Sequence, residues 1–481
     1  MVNKLARDQC KYVKNSNGGK IHIKEKDMMH PSQFRSNTIR GQLAGSLILA
    51  AAVTFSTHAA ADDRVELTGQ ALGYEPTQPI SDDGSLVSAF PFGVQSADGR
   101  NIFRIRGRLQ MDAAYQDFDA EMSDVARQGH AFPRYGVMFR RLRLGALGII
   151  NETWEWQLEV DFSENEVDLA NAYLAYLFPE GRLAAGHFKE PFSMEYATSS
   201  RYIDFIERST AADAYKVNRE PGVMYETIKP NWYGALGIFG GGIDYDREIQ
   251  EGWAVSGRLS FAPYLQDDGF VHIGGGFNHR ENGKDKSSGL YEEVRLRARE
   301  GSRAIDARLV GRDDLVGVKD YTRTNLEFAA GSGPWWVQAE YINVDIDLDR
   351  DQVVAELGNN ATDRGSLTQN GYYVQGGFFL TGESKPYRAF SGDFGRLRPN
   401  RNFSLGESPG AVELAVRYSV ADSLEHTRIG RGQKLENWTV GLNWYLTPEI
   451  MVKGNIIYHT GERDVFKANG TVYAVRLQYL Y

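Results

Sequence analysis

From residue 101 onward the chain alternates. In residues 103–115, Phe103, Ile105, Leu109, Met111, Ala113 and Tyr115 fall on one face of an extended strand, and Arg104, Arg106, Arg108, Gln110 and Asp112 fall on the other. Residues 154–163 set Trp154, Trp156, Leu158, Val160 and Phe162 against Glu155, Gln157, Glu159, Asp161 and Ser163. The same period of two recurs at 253–261, 412–420, 438–446, 450–458 and 473–481. A soluble sandwich alternates too. Here the polar face is too densely charged for a dry core. The apolar face carries Trp and Tyr near the strand ends, and segments of about 10 residues suit a tilted crossing of hydrocarbon. The pattern predicts an all-β fold, a transmembrane antiparallel β-barrel around a water-filled lumen.

Seventeen alternating segments can be marked between residues 102 and 481, one of them at 290–299. Barrels of a single bacterial chain have an even number of strands, with short turns at the periplasmic rim and longer loops outside. Placing the turns at Pro230-Asn231, Gly333-Pro334 and Pro448-Glu449 on one rim requires even numbers of strands between them. Removing 290–299 restores that parity, leaving 16 strands with long loops after residues 188, 279 and 345. The loop after Phe188 follows strand 5 and is expected to fold inward as a constriction loop. Lys385 and Arg388, in TGESKPYR, read as part of a periplasmic turn.

The first hundred residues are different. Leu43 to Phe55 is an apolar run too short to span a bilayer, preceded by Arg40 and followed by Ala59-Ala60-Ala61. It reads as a secretory signal cleaved near Ala61, with residues 1–61 as leader and Met28 or Met29 as an alternative start. Residues 62–100 read as a flexible N-terminal segment and 101–481 as the barrel. The single cysteine, Cys10, lies in the leader, so the mature chain has no disulfide. The formal charge of -9 falls to about -15 without the leader's nine Lys/Arg and three Asp/Glu, which disfavours nucleic acid as a partner. No metal-ligand spacing, nucleophile elbow or phosphate loop stands out, so neither an enzyme nor a cofactor is implied.

Charge placement then matters more than charge total. Arg140, Arg141 and Arg143 crowd one otherwise apolar strand. Strict alternation turns Arg141 and Arg143 to the lumen, and Arg140 joins them only through a bulge or local twist. Arg295, Arg297 and Arg299 are two residues apart and share one face, with Arg303 following Gly301. Guanidinium keeps its charge and presents a planar fork to phosphate-like oxygens, so such a file can pass an anion from ligand to ligand. Glu155, Glu159 and Asp161 read as balancing charges for lumen arginines.

The segments GRLQMD at Gly107, FRR at Phe139, ATSSRY to ERS from Ala197 to Ser209, FAP at Phe261, VRLRARE at Val294, LTGES at Leu380, LNWY at Leu442 and the terminal VRLQYLY occur in an order that resembles the phosphate-selective porin O and P family. The resemblance implies a trimeric, sixteen-stranded channel in the outer membrane of a Gram-negative bacterium, in contact with its lipid and lipopolysaccharide. It implies an arginine ladder at Arg295, Arg297, Arg299 and Arg303, and a deep anion site at Arg140 and Arg141. It also implies constriction-loop contacts from Ser199, Ser200, Arg201 and Arg208, and a first-strand arginine at Arg108. A family lysine is replaced by Tyr196, a tyrosine by Arg143 and an acid by Ala170. These departures predict a more positive constriction and a shift toward larger or more highly charged anions than phosphate, such as pyrophosphate. The sequence is compatible with a passive anion-preferring porin, a weakly selective general porin, or a plugged structural or adhesive barrel.

Overall fold

The computed structural model describes residues 87–89, 92–118, 134–163, 167–243, 248–299, 301–305, 315–358, 365–423, 433–463 and 466–481; the leader, its cleavage site and residues 62–86 lie outside them. Sixteen strands follow in order: β1 (Ile102–Phe118), β2 (Tyr135–Ile150), β3 (Trp154–Asp161), β4 (Asp168–Phe178), β5 (Gly181–Lys189), β6 (Arg219–Ile228), β7 (Trp232–Phe239), β8 (Trp253–Gln266), β9 (Gly269–Glu281), β10 (Val318–Ser332), β11 (Trp335–Leu348), β12 (Ser366–Phe379), β13 (Ala411–Ser423), β14 (Gln433–Tyr445), β15 (Ile450–Arg463) and β16 (Phe466–Leu480). Each pairs antiparallel with the next, and β16 returns to β1 from Gly470↔Phe118 to Leu480↔Arg108, closing the sheet. Closure pairs the first and last strands with each other, as a chain in hydrocarbon requires.

The two faces are inverted relative to a soluble protein. Leu326 is 69% exposed, while its neighbours Asn325 and Glu327 are buried. Along β8, Leu259 is exposed and Arg258 and Ser260 are buried. The outside is therefore apolar and the inside polar. Trp154 and Tyr176 pack at 5.1 Å, and Trp335 and Phe378 at 4.3 Å, near the short-turn rim. Tyr115–Tyr473 and Tyr418–Trp438 mark the other end, so two aromatic girdles bracket the band. The turns at Pro230, Gly333 and Pro448 share one rim, and residues 290–299 form no spanning strand.

Three connections run against the inward face. In the β5–β6 connection, helix α1 (Met194–Ala197) is capped by Ser193 and α2 (Thr210–Tyr215) by Ser209. This segment is tied across the ring: the Glu340 carboxylate accepts from the Met194 and Glu195 amides at 3.0 and 2.7 Å, and Asn455 accepts from the Ile206 amide at 2.8 Å. The Ser209 hydroxyl donates to Glu195 at 2.6 Å, folding the segment on itself. In the β9–β10 connection, Gly301 takes φ +98° beneath the Ile457 side chain. The Ala304 carbonyl stands 1.9 Å from where a Cβ on Gly136 of β2 would sit. Only glycine at both positions lets this stretch turn and dock.

The third connection corrects the sequence reading. Residues 380–410 are not a short turn: they enter from the short-turn rim. Lys385 ion-pairs with Asp204 and lies 4.2 Å from the Trp336 ring. Tyr387 stacks on Phe270 at 4.4 Å, and Arg258 donates to the carbonyls of Ser391 and Gly392. Lys385 and Arg388 are consumed locally, Arg388 by Asp393 at 2.5 Å. Residues 62–100, read as flexible, also contain pairing. Val87–Ala89 pairs with Gly93–Gln95, which pairs with β1 at Arg104 to Ile102. β16 ends at Tyr481 opposite Gly107, and this hairpin covers part of the β1 edge beyond it.

Candidate functional site

Backbone register turns Arg140 inward. Gln110 of β1 pairs with Arg141 and Met111 pairs with Phe139, so Arg140 is the extra residue of a bulge. Both arginines then face inward, 7% and 5% exposed. Arg140 Nε donates to Glu207 at 2.6 Å, and Arg141 Nη1 donates to the Gln110 side chain at 2.8 Å. Arg143 also points inward, with Nε 2.6 Å from Asp161 and Nη1 3.2 Å from Glu159.

Two carboxylates organise the guanidinium groups. Glu159 on β3 lies 3.0 Å from Arg106, 2.8 Å from Arg108, 3.2 Å from Arg143 and 3.3 Å from Arg201. Glu207, on the β5–β6 connection, meets Arg140 at 2.6 Å and Arg476 at 3.1 Å. Burial pushes the Glu207 carboxyl up, but Arg140, Arg141, Arg476 and Arg303 outweigh it and hold it well below the usual carboxylate range. Ala170 is itself the extra residue of a second bulge, since Glu159 pairs with Asn171 and Val160 with Leu169. The acid absent at Ala170 has a neighbour in Glu159 on the adjacent strand. The expected gain of positive charge from Arg143 is accordingly offset by Asp161 and Glu159, which pair with it across β2 and β3.

The remaining sequence-marked residues divide by role. Arg108 Nη1 donates to the Ser200 hydroxyl at 2.6 Å, and the Ser199 hydroxyl accepts weakly from the Arg201 amide at 3.4 Å. Arg208 is spent on backbone, donating to the carbonyls of Glu195 and Thr198 at 3.0 and 2.9 Å. Val294, Leu296 and Ala298 are buried in an apolar cluster, and the alternating Arg295, Arg297 and Arg299 line a cavity instead. Arg303 sits further in, 3.9 Å from Asp213.

Three cavities succeed one another inside the sheet. The outer one, about 510 Å³, is walled by six Arg/Lys and six Asp/Glu, among them Arg295, Arg297 and Arg299. The middle one, about 280 Å³, brings together Arg108, Arg140, Arg141, Arg143, Ser199, Ser200, Arg208 and Arg303, with nine Arg/Lys against four Asp/Glu. The lower one, about 310 Å³, has seven against three and includes Arg201. The outer and middle cavities share Asp213 and Lys216. The middle and lower cavities share Arg108, Lys189, Ser199 and Arg219. Cationic excess therefore begins beyond the outer vestibule.

Residues 103–481 match the family described as phosphate-selective porin O and P. The chain belongs to that family. The porin is an outer-membrane barrel of the diffusion-channel type. It is 28% identical over 359 residues to an uncharacterized protein of Caulobacter vibrioides, covering 73% of this chain and 67% of that one. It is 26% identical over 427 residues to Porin O of Pseudomonas aeruginosa, covering 81% and 90%. Of solved structures, the outer membrane channel DcaP of Acinetobacter baumannii aligns with a TM-score of 0.48 at 14% identity, over 81% of this chain and 100% of that one.

Lys189 and Arg219 are among the cavity residues that escaped the sequence reading. Lys189 closes β5 and Arg219 opens β6, and both wall the middle and lower cavities. Lys189 donates to the Tyr196 carbonyl at 2.5 Å, with its ammonium 4.8 Å from the Tyr196 ring. Arg219 Nη1 is buried without a hydrogen-bond partner. Neither belongs to a run of like charges, so only their common position at the ends of paired strands could have flagged them.

Proposed function

We propose that the porin passes phosphate-like anions, pyrophosphate among them, passively along its arginine-lined lumen, with the β5–β6 connection as the constriction. The observation that carries this reading is the charge step: a balanced outer vestibule leads into a middle cavity with nine cations against four carboxylates. Cations held in a narrow, low-dielectric wall concentrate anions and repel cations. The arginines at Arg295, Arg297 and Arg299 guide the anion in, and Arg303, Arg140 and Arg141 take it over in the middle. Glu159 and Glu207 keep the site from trapping it, because a guanidinium they hold, such as Arg108 or Arg140, must leave its carboxylate to turn to an anion. Binding that is favourable and shared among several ligands is what conduction needs. The apolar outer band suits contact with outer-membrane lipid and lipopolysaccharide, and we read the assembly as a homotrimer.

A second reading is a weakly selective porin. It is favoured by the pairing of Arg106, Arg108, Arg140, Arg143 and Arg201 with acids. Single-channel recording under a chloride salt gradient, repeated with phosphate and pyrophosphate, separates the two. An anion-signed reversal potential with current blocked by either oxyanion supports the first. A reversal potential near zero without block supports the second, and the absence of any current refutes both.

A further inference from the structure

Apolar side chains also reach the lumen side of β4, β5, β6 and β7. The register aligns Ala175, Ala184, Met224 and Gly237 there in one row. Phe188, Met224, Tyr233 and Phe239 gather around it as a buried cluster, with Tyr173 packed against them and its ring 5.8 Å from that of Phe188. The polar ends of the two tyrosines are spent elsewhere. The Tyr173 hydroxyl donates to Glu155 and the Tyr233 hydroxyl to Glu226, each at 2.6 Å, and Arg182 bridges the two carboxylates at 2.5 Å apiece. What these rings offer the lumen is carbon. They belong to the lower cavity, whose lining includes Tyr173, Ala184, Phe188, Pro191, Met224 and Tyr233. In the lining of the middle cavity Tyr196 alone is aromatic or aliphatic.

Charge and carbon are separated along the path. The residues common to the middle and lower cavities, Arg108, Lys189, Ser199 and Arg219, mark the junction, and none of the six apolar residues is among them. Lys189 pairs with Arg219 across β5 and β6, and Phe188 precedes it. Arg219 Nη1 is buried at this junction with no hydrogen-bond partner among the described residues. We propose that the lower cavity is a binding subsite for small aryl oxyanions. The anionic head is held at the junction by Arg108, Lys189, Ser199 and Arg219, and the ring lies against Phe188, Met224 and Tyr233. The inference rests on the channel reading above and adds to it the organic part of the substrate.

A bare inorganic anion gains nothing from such a wall, because carbon supplies no ligand for the water it sheds. A ring gains from it, since its face leaves water on contact, and a methyl group has too little area to share that gain. The cavity, about 310 Å³, lies at the lower end of the range for small-molecule sites and combines an apolar lining with a few placed polar groups, as those sites do. It therefore suits a single ring with one head. Arginines alone sort anions by charge; a carbon wall beyond them sorts them by what the charge is attached to.

Phenyl phosphate and methyl phosphate are the probes, because both are dianions at about pH 8 and differ only in the body. The first measurement is their block of chloride current through the full-length porin in a bilayer. Phenyl phosphate should half-block at about tenfold lower concentration than methyl phosphate. Half-blocking concentrations equal within about twofold overturn the proposal, whether or not any variant folds. Met224→Gln keeps the length of the side chain and makes the wall polar, so it should shrink the gap to about twofold by weakening phenyl phosphate alone. Ala184→Ser, its neighbour in the row, is the milder substitute if that variant does not fold, and should narrow the gap about threefold. A gap left at its wild-type width in a folded variant overturns the proposal. The second measurement is calorimetric titration of the detergent-solubilised barrel with the two esters, which needs no current. Tighter binding of phenyl phosphate by a barrel that carries no current supports the subsite and refutes the channel reading. Anion-selective current with equal binding of the two esters supports the channel and refutes the subsite.

Discussion

Replacing Glu159 by Gln removes one negative charge and leaves the side-chain shape almost unchanged. In wild type this carboxylate is within 3.3 Å of four guanidiniums, from Arg106, Arg108, Arg143 and Arg201. A permeating oxyanion that replaces it on the same groups sits roughly 5 Å away, where two unit charges repel by about 0.8–1.7 kcal/mol at an effective dielectric of ~80 to ~40. Relief of that repulsion should tighten anion binding about 4- to 17-fold. Conduction should respond in both directions. Half-saturation of the phosphate current should move to lower concentration, and the maximal current should fall because the anion leaves more slowly. The assay is single-channel current against phosphate concentration in wild type and Glu159→Gln, with Glu152→Gln at the exposed β2–β3 turn as control. A half-saturation point unchanged within twofold would mean that the permeating anion never meets these arginines, and the charge-step argument would fail.

Other perturbations give separate readouts. Arg219→Gln should weaken pyrophosphate block about tenfold if its unpartnered Nη1 serves the anion, and block equal to wild type refutes that role. Glu340→Ala leaves the Met194 and Glu195 amides without their acceptor, costing roughly 1–3 kcal/mol each, and should make the open current larger and noisier. Gly136→Ala drives a Cβ into the Ala304 carbonyl, so thermal stability in detergent should fall by about 1–3 kcal/mol as the Ser302–Ile305 stretch lifts. Glu207 has a depressed carboxyl, so the stability it adds is complete above the ordinary carboxylate range and is lost only as pH falls through its own lower value. The stability gap between wild type and Glu207→Gln should therefore persist down to about pH 4, and a gap already closed at about pH 5 would contradict the arginine enclosure.

The strands were legible because each crosses a sharp change of solvent, and a period of two is imposed on every residue that crosses it. Trp154, Leu158 and Phe162 had to face lipid, whatever their neighbours did. Arg140 was not legible in the same way. A bulge is a property of two strands in register, and nothing in FRRLRL alone states that Gln110 pairs with Arg141. The arginine file at 295–299 was visible as spacing, but acids that share its cavity, such as Glu220 at the start of β6 and Glu251 in the β7–β8 connection, arrive from elsewhere in the chain. Glu159 was expected to balance an arginine, and that it holds four depends on register and on the inward course of Arg201. Residues 380–410 were misread because polar loop composition does not distinguish a segment at the rim from one whose few large residues, Tyr387 and Phe394, find a platform on Phe270.

The single surplus residue in β2 has an evolutionary corollary. A substitution changes what a lumen position offers, but loss or gain of one codon near 140 changes which side of the wall a neighbour faces, moving a full charge between lipid and water in one step. Lineages of this barrel can thus gain or discard a deep cation by a frame-preserving indel, and aligned relatives should vary there in length as well as in identity.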